Sequence, residues 1–170
     1  MHTNRESPVA DHHKDPKKPD AGAVLACVAG SGRAAQPGVP HRPLRGQNLG
    51  LLCGGDGRAQ NIEAFRDAAA ELGAHVAIIR SDLTSASTTQ TIGETARLLS
   101  RLYDAVECDG LPEAVVDELA RVATIPVSSG HIALAEQVDM LAHQLEGPDA
   151  WEQKRRSLLQ ALVMQSVCRP

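Results

Sequence analysis

NLGLLCGGDGRAQNIEAFRDAAAELGAHVAII, residues 48–79, decides the fold of this chain. Asn48–Cys53 is a short apolar run and reads as a buried strand. Gly54-Gly55-Asp56-Gly57 is a turn signal. Over 60–72, Ile62, Phe65, Ala69 and Leu72 fall on one face, as in an amphipathic helix, and Gly73 stops it. Ala74–Ile79 is the next strand. Strand, helix and strand in one short stretch form a βαβ unit, which is the unit of a parallel sheet.

Working outward towards the C-terminus, the pattern repeats. Residues 81–91 are small and polar and read as a loop. A helix follows over Ile92–Leu102, then a short strand at Asp104–Glu107. Pro112 suits the first turn of a helix running to Ala123. Thr124–Val127 is a fourth strand, and Ile132–Leu145 a further helix. The expected fold is α/β: a three-layer sandwich around a four-stranded parallel sheet, with right-handed crossovers placing helices on both faces. Gly147-Pro148 ends the repeat, and Asp149 can cap a last helix over 150–167.

Towards the N-terminus the character changes. Residues 1–43 hold six of the ten prolines and four of the seven histidines, with no sustained periodicity. Such a segment buries too little apolar surface to offset its ordering entropy. It is expected to be a flexible arm, with a short packed piece at Ala23–Val28. His12-His13 has no further ligand at helical or finger spacing and reads as solvated. The domain expectation is therefore an arm over 1–43, a βα domain over 44–147 and a C-terminal helix over 148–170.

Composition narrows the function. The 170 residues are 42% apolar and 22% charged, with a formal net charge of −4, so they support one core. Phe65, Tyr103 and Trp151 are the only aromatics, which leaves no base-stacking platform. With no basic footprint either, no nucleic-acid partner is expected. No apolar run reaches the ~18 residues of a membrane helix, and the short run Ala21–Gly30 follows acidic residues rather than a basic leader. No membrane partner and a cytoplasmic location are expected. The four cysteines are far apart with no CxxC pair, and read as reduced thiols. No metal and no cofactor are expected.

Ligands of doubly wound sheets bind outside the carboxyl ends of the strands. Here those ends are Cys53–Asn61, Arg80–Gln90, Cys108–Leu111 and Ser128–His131. Glycines between strand and helix let backbone N–H groups approach an anion. The loop is not a Rossmann fingerprint, because the third glycine is missing, and no Gly-Lys-Ser/Thr follows to make it a P-loop. His131 follows a strand end without a carboxylate or nucleophile at a fixed offset, and reads as a capping or solvent-exposed side chain.

Three stretches carry a resemblance over about Leu44–Glu146. LRGQNLGLL (Leu44–Leu52) resembles L-x-G-K-x-L-A-L-L, AFRDAAAELGAHV (Ala64–Val76) resembles A-F-E-x-A-A-x-x-L-G-A-x-V, and ETARLLSRLYDAVE (Glu94–Glu107) resembles D-T-A-R-V-L-G-R-M-Y-D-G-I. Pro126-Val127 falls where the pattern has V-P-V. These are patterns of the carbamoyl-phosphate-binding domain of aspartate and ornithine carbamoyltransferases, and the R-L-Y-D-A segment leans to the ornithine branch. The resemblance implies a carbamoyltransferase of amino-acid metabolism, a small anionic ligand (carbamoyl phosphate) and a homotrimer.

The departures from that family bear on function. Its members hold the phosphate with S-T-R-T-R at a helix N-terminus, where guanidinium forks and hydroxyls meet a dianion. The same place here reads Gly54-Gly55-Asp56-Gly57-Arg58-Ala59-Gln60-Asn61. A family arginine after the third strand is replaced by Cys108-Asp109-Gly110, and H-P-T-Q is absent around Ser128–Leu134. Losing three or four charge-assisted contacts forfeits about 5–10 kcal/mol. The family's second domain has no room in residues 147–170. The residues left to bind a substrate are Arg58, Gln60, Asn61 and His131, and no catalytic residue is identified.

Three readings result. One is a degenerate single domain, a pseudoenzyme without carbamoyl transfer by itself. Another is an active carbamoyltransferase subunit completing its site with another chain, such as a full-length carbamoyltransferase. The third is a phosphate- or nucleotide-binding enzyme using the GGDG loop, which resembles that of diacylglycerol and NAD kinases except that Arg58 stands where they have threonine.

Overall fold

The apolar runs of the sequence become the centre of a parallel sheet in the computed structural model, which describes residues 21–31, 42–55 and 59–167. The strands are β1 (Asn48–Gly54), β2 (His75–Ser81), β3 (Ala105–Asp109) and β4 (Val127–Ser129). Their order across the sheet is β2-β1-β3-β4, all parallel. The helices are α1 (Ala21–Ser31), α2 (Ala59–Glu71), α3 (Thr89–Leu102), α4 (Glu113–Val122), α5 (His131–Leu134), α6 (Val138–Gln144) and α7 (Trp151–Val167).

The chain leaves β1 for β2 on one side and leaves β3 for β4 on the other. The topological switch point therefore lies between β1 and β3, and the expected α/β sandwich is what the structure shows. Side chains alternate across the central strands. Leu49, Leu51 and Cys53 join a core with α1, α2, α5, α6 and α7, while Leu52, Val106 and Cys108 join a second core with α3 and α4. Fully buried Phe65, the only phenylalanine, anchors α2 in the first core. α7 contributes Leu158, Leu159, Leu162 and Val163 to that core, so it is a structural layer of the domain.

Three local details differ from the sequence reading. The packed piece expected at Ala23–Val28 is a longer helix, α1, whose Val24 is fully buried; the remainder of the arm up to His41 lies outside the described residues. The fourth strand begins at Val127 rather than Thr124. Pro126 has no N–H for the ladder, and its carbonyl accepts Val106 N–H at 3.0 Å as pairing starts.

The helix expected over Ile132–Leu145 is broken by a 3₁₀ turn at Ala135–Gln137. Ile132 and Val138 are both fully buried. Six steps at α-helical pitch would set their side chains about 120° apart, and three steps at 3₁₀ pitch cut this to about 60°. The tight turn lets both reach one core.

At the site end, α3 is capped by Thr88, whose side chain accepts Thr91 N–H at 3.2 Å. Two backbones meet at the switch point. A Cβ on Gly54 would lie 2.8 Å from the Gly110 carbonyl oxygen, and one on Gly110 (φ +69°) would collide with the Gly54 carbonyl. Glycine at both positions lets β1 and β3 stay in touch beyond their last paired residues, Cys53 and Asp109. Among the described residues no helix is long and apolar enough to cross a membrane.

Candidate functional site

The carboxyl ends of β1, β2 and β3 open onto a concavity of about 640 Å³. Its described lining consists of Gly54 and Gly55, the loop Ser81–Ala86, Gly110 and Pro112. The β2–α3 loop is held by its own short side chains. Ser81 Oγ accepts Leu83 N–H at 3.2 Å, Ser87 Oγ accepts Thr84 N–H at 2.9 Å, and Thr84 Oγ1 accepts Ala86 N–H at 3.2 Å. The described wall thus presents hydroxyls, glycine backbone and one carboxylate, Asp82, and it holds no lysine, arginine or histidine.

The structure scatters the four sequence-derived binding candidates. Arg58 lies outside the described residues, as do Asp56 and Gly57 of the GGDG loop. Gln60 is exposed in the first turn of α2. Asn61 points to the 3₁₀ turn, where its Nδ2 donates to Glu136 Oε1 at 3.1 Å. None of the three described candidates lines the concavity.

His131 departs most from the reading. It was expected to cap or to face solvent, and it is fully buried. Its partner is Glu107, 24 residues earlier and also fully buried. Glu107 Oε1 accepts the His131 backbone N–H at 2.8 Å, and Oε2 lies 3.0 Å from His131 Nδ1 and accepts Ser128 Oγ–H at 2.5 Å. Ser128 Oγ is also 3.2 Å from the Ser166 carbonyl near the end of α7. One carboxylate on β3 therefore ties down the whole β4–α5 junction, and the junction's serine abuts the last turn of α7. His131 Nε2 is buried and has no hydrogen-bond partner among the described residues.

The signal that was missed is local. In Ala105–Asp109 every residue is buried, and Glu107 shares the inward face with Ala105. A carboxylate inside a strand that is buried throughout needs donors, and Ser128, Gly130 and His131 at the neighbouring strand end supply the hydroxyl, the turn and the amide. Asp109, two residues on, is also buried, at 3% exposure.

The thiols here are quiet. Cys53 and Cys108 are free and buried. Burial, then the Asp109 carboxylate, push the Cys53 thiol up, while Arg80, in register with it on β2, pulls the other way. Burial first, then Glu107, raise the Cys108 thiol well above its ordinary value. Among the described residues no group of three or more His, Cys, Asp or Glu side chains is placed to hold a metal ion.

Comparison with known proteins places this geometry. No family model matches the chain. An ornithine carbamoyltransferase of Actinobacillus pleuropneumoniae serotype 5b is 34% identical over 113 residues, which are 66% of this chain and 34% of that protein. One from Streptococcus uberis is 33% identical over 108 residues, 64% of this chain and 32% of that protein. Among solved structures, an ornithine carbamoyltransferase from Pyrococcus furiosus superposes with a TM-score of 0.57 at 27% identity, over 73% of this chain and 42% of that one. An N-acetyl-L-ornithine transcarbamylase shares the fold, with a TM-score of 0.52 at 19% identity and 73% and 43% coverage. In sequence and in fold alike, the chain is similar to ornithine carbamoyltransferases over about two thirds of its length, and it spans about a third of the length of the curated proteins it matches.

Proposed function

We propose that this chain is an ornithine carbamoyltransferase-like domain that does not transfer carbamoyl groups by itself. The observation that supports the reading most directly is the described wall of the strand-end concavity, which carries one carboxylate and no cation. A phosphate dianion is held by guanidinium forks, hydroxyls and helix N-termini together, and hydroxyls and amides alone lack the charge-assisted part. Asn61 is engaged by Glu136, and His131 is sealed against Glu107, so neither side chain is offered at the wall. Arg58 is the remaining candidate cation of the β1–α2 loop.

Isothermal calorimetry with carbamoyl phosphate tests this reading. The expected result is no binding below millimolar concentration, and a sub-millimolar dissociation constant that Arg58→Ala abolishes would sink it. Citrulline formation from ornithine and carbamoyl phosphate, measured for the chain alone, is expected to be absent.

A second reading has one feature in its favour. Leu98 and Leu102, at i and i+4 on α3, are each 55% exposed, and β2 is an edge strand with Ile78 43% exposed. Apolar surface of this kind suits association. On this reading the chain works as a homotrimer, or beside a full-length carbamoyltransferase that completes its site. Citrulline production appearing only in a mixture of the two chains supports it, and an unchanged rate in every mixture removes it.

A further inference from the structure

We draw no further inference here: the strongest candidate, the groove between α2 and α7 bordered by Trp151, carries nothing, because its guanidiniums are already paired with its carboxylates (Arg155 with Asp139, Arg156 with Glu71) and nothing in the structure shows what covers it.

Discussion

Replacing Glu107 with alanine removes the acceptor of three hydrogen bonds in a fully buried place. The Ser128 hydroxyl has somewhere to turn, since the Ser166 and Val106 carbonyls lie 3.2 and 3.4 Å away. The backbone N–H and the imidazole of His131 do not. Each orphaned buried donor costs about 1–3 kcal/mol, so two give about 2–6 kcal/mol. Removing a buried carboxylate also relieves its own desolvation, which favours the lower half of that range. Glu107→Ala is therefore expected to lose about 2–4 kcal/mol, a large part of the 5–15 kcal/mol typical of a domain. Urea unfolding followed by far-ultraviolet circular dichroism measures it. With a slope of about 2 kcal/mol per molar, the midpoint should fall by about 1–2 M. Glu107→Gln keeps an oxygen for the His131 amide and should lose less than the alanine variant. A midpoint for Glu107→Ala within about 0.2 M of the parent would show that this carboxylate does not organise the β4–α5 junction. So would an alanine variant more stable than the glutamine one.

Gly110→Ala pays twice, for a left-handed backbone (about 1–2 kcal/mol) and for a collision with the Gly54 carbonyl. Gly55→Ala meets the same backbone cost without a collision against any described residue, since none lies within 4 Å of its added Cβ. Thermal melts of the two variants should place Gly110→Ala clearly below Gly55→Ala, and equal melting temperatures would mean that the two backbones are not in contact. Thr88→Ala removes the α3 cap and should lower stability by about 0.5–2 kcal/mol in urea melts, with Thr88→Ser close to the parent. A raised thiol pKa means less reactive thiolate. Cys108 should therefore resist iodoacetamide in the folded chain at mildly alkaline pH and label on unfolding in urea, as read by peptide mass spectrometry; prompt labelling of the native protein would contradict its burial.

Most of the fold was legible because two periodicities write it directly. NLGLLC and AHVAII are compact apolar runs, and Ile62, Phe65, Ala69 and Leu72 recur at helical spacing, so β1, α2 and β2 fall within a residue or two of their expected places. The end of the sheet was harder. Pro126 lacks a donor, and that delays β4; the 3₁₀ turn at Ala135–Gln137 serves Ile132 and Val138 together, a demand that exists only once the core is assembled. The site was less legible still. Asn61 with Glu136 and His131 with Glu107 are contacts between residues 75 and 24 positions apart, and no spacing rule along one helix or strand encodes them. Placing His131 at a strand end was within reach of pattern reading, whereas its burial depends on α7, whose Ser166 closes over the neighbouring serine.

The touching glycines have one more consequence. In a doubly wound sheet, the chains leaving the two central strands normally diverge and open a cleft into which a guest settles. Here the ends of β1 and β3 are pinched together at Gly54 and Gly110, main chain against main chain, so the part of the concavity they line is bare backbone with no side chain standing on it. A guest settling there meets naked peptide groups on one side and, on the other, the hydroxyl-bearing shoulder between the second strand and the helix that follows it.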